Sequence, residues 1–436
     1  METEQADLKQ LKGENSMNIM WITPFYQMED EESNTVSGPL KMALADAYPD
    51  SVKLTIVSQP AAGNREKTVR ENVTYVPVDE PFDRIGIGPK EWEKMKAKLL
   101  RLIEDAKPDV IQCFGVEWPF GGIQEYTTVP VVIHLMGFLN IYHPTLQLVT
   151  GRNGNGRHRI ISILSAAADR CRRILIPRED TNPEEMANTF ERRSMSMNRY
   201  FIGRTQWDRN IVKYYAPNAV YFHAAEAIKP TIYRSAGTWQ YRRKEKLRLL
   251  TISSGDDRKG NEIILRCAAL LSDLIGLDFE WHVAGHREFF PKFEEHTGIH
   301  REDVHVKLIG IIDAQQIVRE LQDADFFIHP SVIDNSPNSV CEAQIVGCPV
   351  IASNVGGLPQ LIDDGVTGFL YPYNEPHTLA FLIGNLYRDA ELLKRVSEQE
   401  SRVSVKRHDP EKIAETMIEI YNTVIGDNGN DGKKAK

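Results

Sequence analysis

The sequence predicts an α/β protein built from two tandem doubly wound sheets facing a central cleft. Three observations carry this. At 436 residues the chain exceeds what a single hydrophobic core usually serves, so two domains are expected. Short apolar runs of strand length alternate with longer helix-patterned stretches, the pattern of a parallel sheet covered on both faces. The alternation breaks over 231–247, TIYRSAGTWQYRRKEKL, which is charged, carries Gly237 and has no clean period, and then it restarts.

Residues 1–16, METEQADLKQLKGENS, are polar and charged. They lack the apolar run of a signal peptide and are read as a disordered extension. Strands are expected at NIMWITPF (18–25), VKLTIVS (52–58), DVIQCFG (109–115), VPVVIHLMG (129–137), RILIP (173–177) and YFIG (200–203). EWEKMKAKLLRLIEDA (91–106) is patterned as a helix. These elements define a first domain over 17–235. After the break, strands are expected at RLLTISS (248–254), FEWHVAG (279–285), VHVKLIG (304–310), ADFFIHPS (324–331), CPVIASN (348–354) and GFLYPY (368–373). The helix in GNEIILRCAALLSDLIG (260–276) places Ile263, Ile264, Cys267, Leu271 and Leu274 on one side. This second domain spans 236–405. A helix over 406–425 is expected to pack back toward the first domain, and 426–436 has the composition of a disordered tail.

The hydrophobic fraction of 42% and charged fraction of 26% are those of a globular chain. A net charge of -9 argues against a nucleic-acid binder, since phosphate backbones select a basic face. The cysteines Cys113, Cys171, Cys267, Cys341 and Cys348 are odd in number, contain no C-x-x-C and mostly lie in apolar runs. They read as buried free thiols of a reducing cytoplasm. No run reaches the eighteen or so apolar residues of a membrane span.

The chemistry concentrates at the carboxyl ends of the second domain's strands, where such sheets bind ligands. RLLTISS runs into GDDRKG, which puts Arg258 and Lys259 where a helix begins, and a helix N-terminus beside a cation favours an anion. A basic pair in a turn is more often simply solvated. WHVAGH and KLIGII end their strands in Gly285 and Gly310, where a ligand can approach the backbone, or where the chain only turns. PSVIDNSPNSVCEA is the most informative stretch. Asp334 to Pro337 form a loop, Asn338 or Ser339 can cap the next helix, and Glu342 lies in its first turns. A carboxylate there is comfortable through the helix dipole alone. Facing the cleft, it could accept both hydroxyls of a ribose. Gly356 and Gly357 follow the next strand.

DNSPNSVCEAQIVGCPVIASNVGGLPQLIDDGVTGFLYP resembles the retaining glycosyltransferases of the GT-B fold, specifically glycosyltransferase family 4. The family pattern is a carboxylate, seven residues and a glutamate, then a glycine-rich return. FGVEWPFG (114–121), GFLNIY (137–142), GRTQWDRN (203–210) and YFHAAEAIKPTIY (221–233) resemble bacterial enzymes of surface-polysaccharide or glycoconjugate assembly. The resemblance implies two Rossmann-like domains, the first for the acceptor and the second for the donor. It assigns Asp334 to the donor sugar and has Asn335, Ser336 and Pro337 bring loop amides toward the sugar and β-phosphate. It gives the ribose hydroxyls to Glu342 and the diphosphate to Lys259, with Asn338 and Ser339 beside the donor. Gly310 and Ile311 would flank the nucleobase, Gly285 would lie on the donor side, and Gly38 would match the glycine loop over the diphosphate. Glu117, Trp118, His134 and Gly137 fall on the acceptor side. The chain departs from the pattern in five places, one being Ser37–Gly38 where the family loop has a glycine pair. The first acid is Asp instead of Glu, the usual Gly-Arg after the domain's first strand is absent, leaving Arg258 nearby, and Gln360 replaces a glutamate. The family histidine falls on Met136, two positions after His134.

The resemblance implies transfer of a sugar from a nucleoside diphosphate donor to a hydroxyl acceptor (glycan, lipid-linked or small molecule) with retention at the anomeric carbon. No metal or other cofactor is expected, since no D-x-D motif ends a strand. No nucleic-acid partner is expected. The expected place is the cytoplasm, with peripheral contact at the inner membrane face left open. Two other classes stay open: a non-catalytic nucleotide- or glycan-binding protein or partner subunit, and a phosphorylase or epimerase on the same two-domain plan.

Overall fold

The computed structural model describes residues 16–25, 37–48, 51–59, 66–78, 89–150, 183–242, 244–275 and 277–434. The strand expected at 173–177 and Cys171 lie outside them. The first sheet has the order β3-β4-β2-β1-β5-β6-β7-β8. Its strands are β1 (Met17–Phe25), β2 (Val52–Gln59), β3 (Thr68–Arg70), β4 (Val73–Pro77), β5 (Val110–Phe114), β6 (Val131–His134), β7 (Tyr200–Gly203) and β8 (Val220–His223). All pairs are parallel except the β3/β4 hairpin. Every residue of β5, β6 and β7 is buried, as a strand covered on both faces requires. The sequence reading omitted β3, β4 and β8. They lie toward the edges of the sheet and are partly exposed, so their apolar runs are short and diluted by polar residues.

The second sheet, β11-β10-β9-β12-β13-β14, is parallel throughout. Its strands are β9 (Leu247–Ser253), β10 (Phe279–Gly285), β11 (Val306–Gly310), β12 (Phe326–His329), β13 (Val350–Ser353) and β14 (Phe369–Tyr371). In domain order this is 3-2-1-4-5-6, so the winding reverses between β9 and β12. In the first sheet it reverses between β1 and β5. At such a reversal the neighbouring loops leave in opposite directions and open a crevice beyond the strand ends.

The chain crosses between domains earlier than the charged stretch suggested. Ala224 and Ala227 belong to the first domain's core, whereas Ile228, Ile232 and Trp239 belong to the second's. The reason is local. Pro230 opens a short helix, Pro230–Tyr233, that drives the fully buried Ile232 into the second core. The charged stretch is then pinned along that domain. Gly237 and Trp239 donate their amides to Ile345 and Val346 at 2.9 and 3.0 Å, and the Trp239 indole donates to the Ala324 carbonyl at 2.7 Å.

After the helix Ala390–Arg407 the chain crosses back. The helix Pro410–Lys434 buries Ile413, Met417, Ile420, Tyr421 and Val424 in the first domain's core. It continues through residues whose composition suggested a disordered tail. Adding a residue to an established helix fixes only that residue, which is far easier than nucleating a new one.

Gly260 and Gly298 share a φ of 68° but differ in surroundings. A Cβ on Gly260 would lie 1.8 Å from the Pro330 carbonyl oxygen, whereas one on Gly298 would meet nothing within 4 Å. Gly298→Ala should therefore cost about 1–2 kcal/mol, the left-handed penalty alone. Gly260→Ala should cost clearly more, because the loops after β9 and β12 must separate. Chemical denaturation of both variants checks this, and equal losses would contradict the close approach.

Candidate active site

The loops leaving β9 and β12 meet at the second sheet's reversal. After β9, Asp256 accepts from the Arg258 amide at 2.9 Å and from the Ser254 hydroxyl at 2.7 Å. This shapes the turn Asp257–Lys259 and directs Lys259 toward the neighbouring loop. Lys259 Nζ lies 2.6 Å from Asp334 Oδ2. The same carboxylate faces His329 Nε2 at 3.2 Å and the Ser331 hydroxyl at 3.4 Å, and its other oxygen accepts from the Asn335 amide at 3.0 Å. Burial works to raise the pKa of Asp334. The Lys259 charge, His329 and Arg258 outweigh it and hold the carboxyl well below the usual range. Asp334 is therefore an ionised acceptor with most of its capacity already in use.

A cavity of about 350 Å³ lies between the domains; Ser254, from the loop that carries Lys259, and Asn338, from the segment that follows Asp334, line it, but Lys259 and Asp334 themselves do not. The second domain contributes Gly285, Ile311, Asn338, Ser339 and Glu342, and the first contributes Pro39. Gly38, next to Pro39, is buried near the start of the helix Ser37–Ala47. Gly310 precedes Ile311 and packs under Arg287, so the exposed member of that pair is Ile311. The helix Asn338–Val346 begins differently from the sequence reading. Its cap position is Pro337, and no side chain caps it. Asn338 and Ser339 instead line the cavity, and the first amides of the helix are left without a side-chain acceptor. Glu342 is buried one turn further on, and its Oε1 lies 3.2 Å from Lys229 Nζ.

The loop residues Asn335 and Ser336 are held by the first domain. Asn335 accepts from the Thr205 hydroxyl at 2.7 Å and donates to Asp208 at 3.1 Å. The Ser336 carbonyl accepts from Arg204 at 3.2 Å. Arg258 does not point into the cavity. It bonds Asp256 and lies over the Tyr142 ring, 4.6 Å from its centroid.

The acceptor-side residues divide. Glu117 follows β5, at the first sheet's own reversal, and is 8% exposed. Its Oε2 has no hydrogen-bond partner among the described residues. Gly137 faces it so closely that a Cβ there would lie 2.6 Å from Oε1 and 2.8 Å from the Tyr142 ring. Trp118 instead joins the first domain's core, stacked on Phe120 at 6.0 Å. His134 also turns inward. Its two ring nitrogens are occupied by Gln112 at 3.1 Å and Glu226 at 2.8 Å, and β6 ends there, so the strand facing that would align it with Met136 does not continue. The sequence reading missed Tyr142, Arg204, Glu226, Lys229 and His329 as site residues. The lone Glu226 and Lys229 in the apolar run AAEAIKP were the available signal, because a charge in such a run needs a partner.

Comparison with known proteins supports the two-domain fold. The solved sucrose-phosphate synthase of Thermosynechococcus elongatus superposes with a TM-score of 0.70 at 13% identity, covering 94% of this chain and 99% of that one. The GT-B fold is therefore present. Anabaena HepE, solved with UDP-glucose, gives 0.62 at 15% identity over 93% of this GT-B chain and 100% of its own. Residues 239–403, within the second GT-B domain, match the family model for glycosyl transferases group 1. Over 147 residues the chain is 29% identical to the amylovoran biosynthesis glycosyltransferase AmsK of Erwinia amylovora, 32% of this chain and 35% of that protein. Over 236 residues it is 23% identical to the phosphatidylinositol N-acetylglucosaminyltransferase GPI3 subunit of Saccharomyces cerevisiae, 53% of this chain and 50% of that one. The chain thus spans between about a third and a half of the length of these curated relatives.

Among the described residues no group of three or more His, Cys, Asp or Glu could hold a metal ion, and no helix is long and apolar enough to cross a membrane. The Lys259 ammonium is held by Asp334 in the loop that leads into the uncapped helix start. Lys259→Ala should therefore weaken binding of UDP, GDP or ADP at least tenfold more than binding of the matching nucleoside. Calorimetric titration reads this, and equal losses for both would reduce Lys259 to a surface charge.

Proposed function

We propose that the chain is a retaining glycosyltransferase of the family 4 type, moving a hexose from a nucleoside diphosphate sugar to a hydroxyl acceptor. One observation carries the reading: at a single strand reversal, the cavity holding Glu342 and an uncapped helix start adjoins the Lys259–Asp334 pair. A diol-binding carboxylate, free amides and a cation in that order match ribose, diphosphate and sugar. Glu342 accepts the two ribose hydroxyls, while Ile311 and Gly285 flank the base. The amides at Asn338 and Ser339 and the Lys259 ammonium hold the diphosphate, and Gly38 and Pro39 close over it. Asp334 faces the sugar.

The step breaks the bond between the anomeric carbon and the diphosphate oxygen. Negative charge collects on the diphosphate, where fixed amide dipoles and Lys259 meet it without reorganising. The acceptor oxygen attacks from the face the diphosphate leaves, and its proton passes to that phosphate. The acceptor approaches over Glu117 and Gly137. HepE was solved with UDP-glucose and AmsK is named for amylovoran biosynthesis. The first favours a hexose donor and the second a glycan acceptor; a lipid-linked or small-molecule acceptor and a place in the cytoplasm at the inner membrane face are part of the same proposal. The reading needs no metal, so turnover should persist in excess EDTA. Loss of turnover that a divalent ion restores would count against a metal-free site.

The engagement of Arg258 by Asp256 and Tyr142 favours a second reading, a nucleotide- or glycan-binding protein without turnover. Asp334 separates the two. Asp334→Asn keeps the shape and removes the charge. It should lower turnover at least tenfold, a barrier change of about 1.4 kcal/mol or more, while free nucleoside diphosphate binds almost as before. Asp334→Glu should retain activity or raise it. Rates and melting curves measured on the same preparations decide: turnover per folded molecule unchanged in the Asn variant removes the sugar-facing role.

A further inference from the structure

We infer that Arg204 is a positioning residue for the donor loop, seating residues 334–336 through a buried relay that starts on the helix Pro410–Lys434. This rests on the reading of that loop as the donor loop. The relay can be followed donor by donor. The Trp21 indole can only donate, and it reaches the Tyr421 hydroxyl at 3.1 Å. The Tyr421 proton is thereby free to go to Gln112 Oε1 at 2.5 Å. This orients the Gln112 amide, whose nitrogen donates to His134 Nδ1 at 3.1 Å. His134 must then carry its proton on Nε2, which donates to Glu226 Oε1 at 2.8 Å. Arg204 reaches the same oxygen at 3.1 Å. It also donates to the Ser336 carbonyl at 3.2 Å and to the Leu135 carbonyl at 3.3 Å.

The relay gathers both crossings between the domains. Glu226 sits on the first, and its backbone carbonyl accepts from His408 on the second at 2.7 Å. Next to Arg204, Thr205 and Asp208 grip the Asn335 side chain. The first domain thus holds two consecutive residues of the loop whose preceding residue is Asp334. The Arg204 side chain is buried, with both terminal nitrogens engaged by Glu226 and by the Ser336 and Leu135 carbonyls, so it acts through the loop and not on a ligand.

The arrangement is poorly designed for stability alone. Arg204 Nε and Glu226 Oε2 are buried without hydrogen-bond partners among the described residues. A buried ion pair left partly unsatisfied contributes little over a hydrophobic substitute. What the pair does supply is direction. The planar guanidinium fixes the carboxylate, the end of β6 and the loop carbonyl relative to one another, which the point charge of a lysine cannot do.

The test compares the parent chain with Arg204→Lys and Arg204→Ala, using two readouts. Amide hydrogen exchange over 334–337 should be at least tenfold faster in both variants, with exchange in β9 and β13 unchanged. With UDP-, GDP- and ADP-glucose as donors and a panel of free monosaccharides as acceptors, kcat should fall at least tenfold in Arg204→Ala and less in Arg204→Lys. The affinity for the matching nucleoside diphosphate should stay within about threefold. Unchanged loop exchange overturns the inference, as does a parallel fall in kcat and nucleotide affinity, which would make Arg204 a ligand contact. If Arg204→Ala does not fold, the lysine variant at an unchanged melting temperature decides alone. Faster loop exchange together with a parent chain that neither binds nucleotide nor turns over would uphold the positioning role and overturn the glycosyltransferase reading.

Discussion

Glu226 lies on the first crossing between the domains, and its carboxylate accepts from His134 and Arg204 while its carbonyl accepts from His408 on the second crossing. Burial works to raise its pKa, but the hydrogen bond from His134 and the Arg204 charge outweigh it, so the carboxylate stays ionised inside the protein. An ionised group at such depth is tolerable only while its partners stay in place. The two sheets are therefore not merely adjacent. Their relative placement is tied through Arg204, which joins that carboxylate to the Ser336 carbonyl of the second domain, and the cavity between the domains depends on that placement.

The charges of the cleft come in pairs: Lys259 with Asp334, Lys229 with Glu342, Arg258 with Asp256, and Arg204 with Glu226. This explains how a chain of net charge -9 can offer a seat to an anion. Each cation is kept close by a carboxylate that is itself suited to accept hydroxyl groups. In the proposed reading, an incoming nucleoside diphosphate sugar divides the Lys259–Asp334 and Lys229–Glu342 pairs, taking cations through its phosphates and carboxylates through its hydroxyls. The exchange keeps the buried charge balanced, which isolated cations in a low-dielectric cleft would not.

Much of this was legible in the sequence because the relevant residues are close in the chain or regularly spaced. The strands in both domain centres are continuous apolar runs, and Asp334, Glu342 and Lys259 sit at strand ends that the alternation locates. What was not legible depends on residues brought together from far apart. Arg204 and Ser336 are 132 positions apart, and Tyr421 and Gln112 are 309 apart. No local pattern reports that a histidine ending a strand will face a glutamate on another. His134 accordingly looked like a cleft residue although it is buried in the relay. The domain boundary was displaced for a related reason. The charged stretch is conspicuous, but Ile228 and Ile232 had already entered the second core.

The helix Pro410–Lys434 fills the first domain's core with Met417, Tyr421 and Val424, all at most 1% exposed. In a chain made from its N-terminus, this orders events in time. The second domain's residues are all synthesised before the first domain receives its last core helix. About 200 residues separate the first crossing from that helix, which at typical synthesis rates is a delay of roughly 10–40 s. During that interval one flank of β1 and β5 lacks its apolar cover. The half of the protein that is begun first is the half that is completed last.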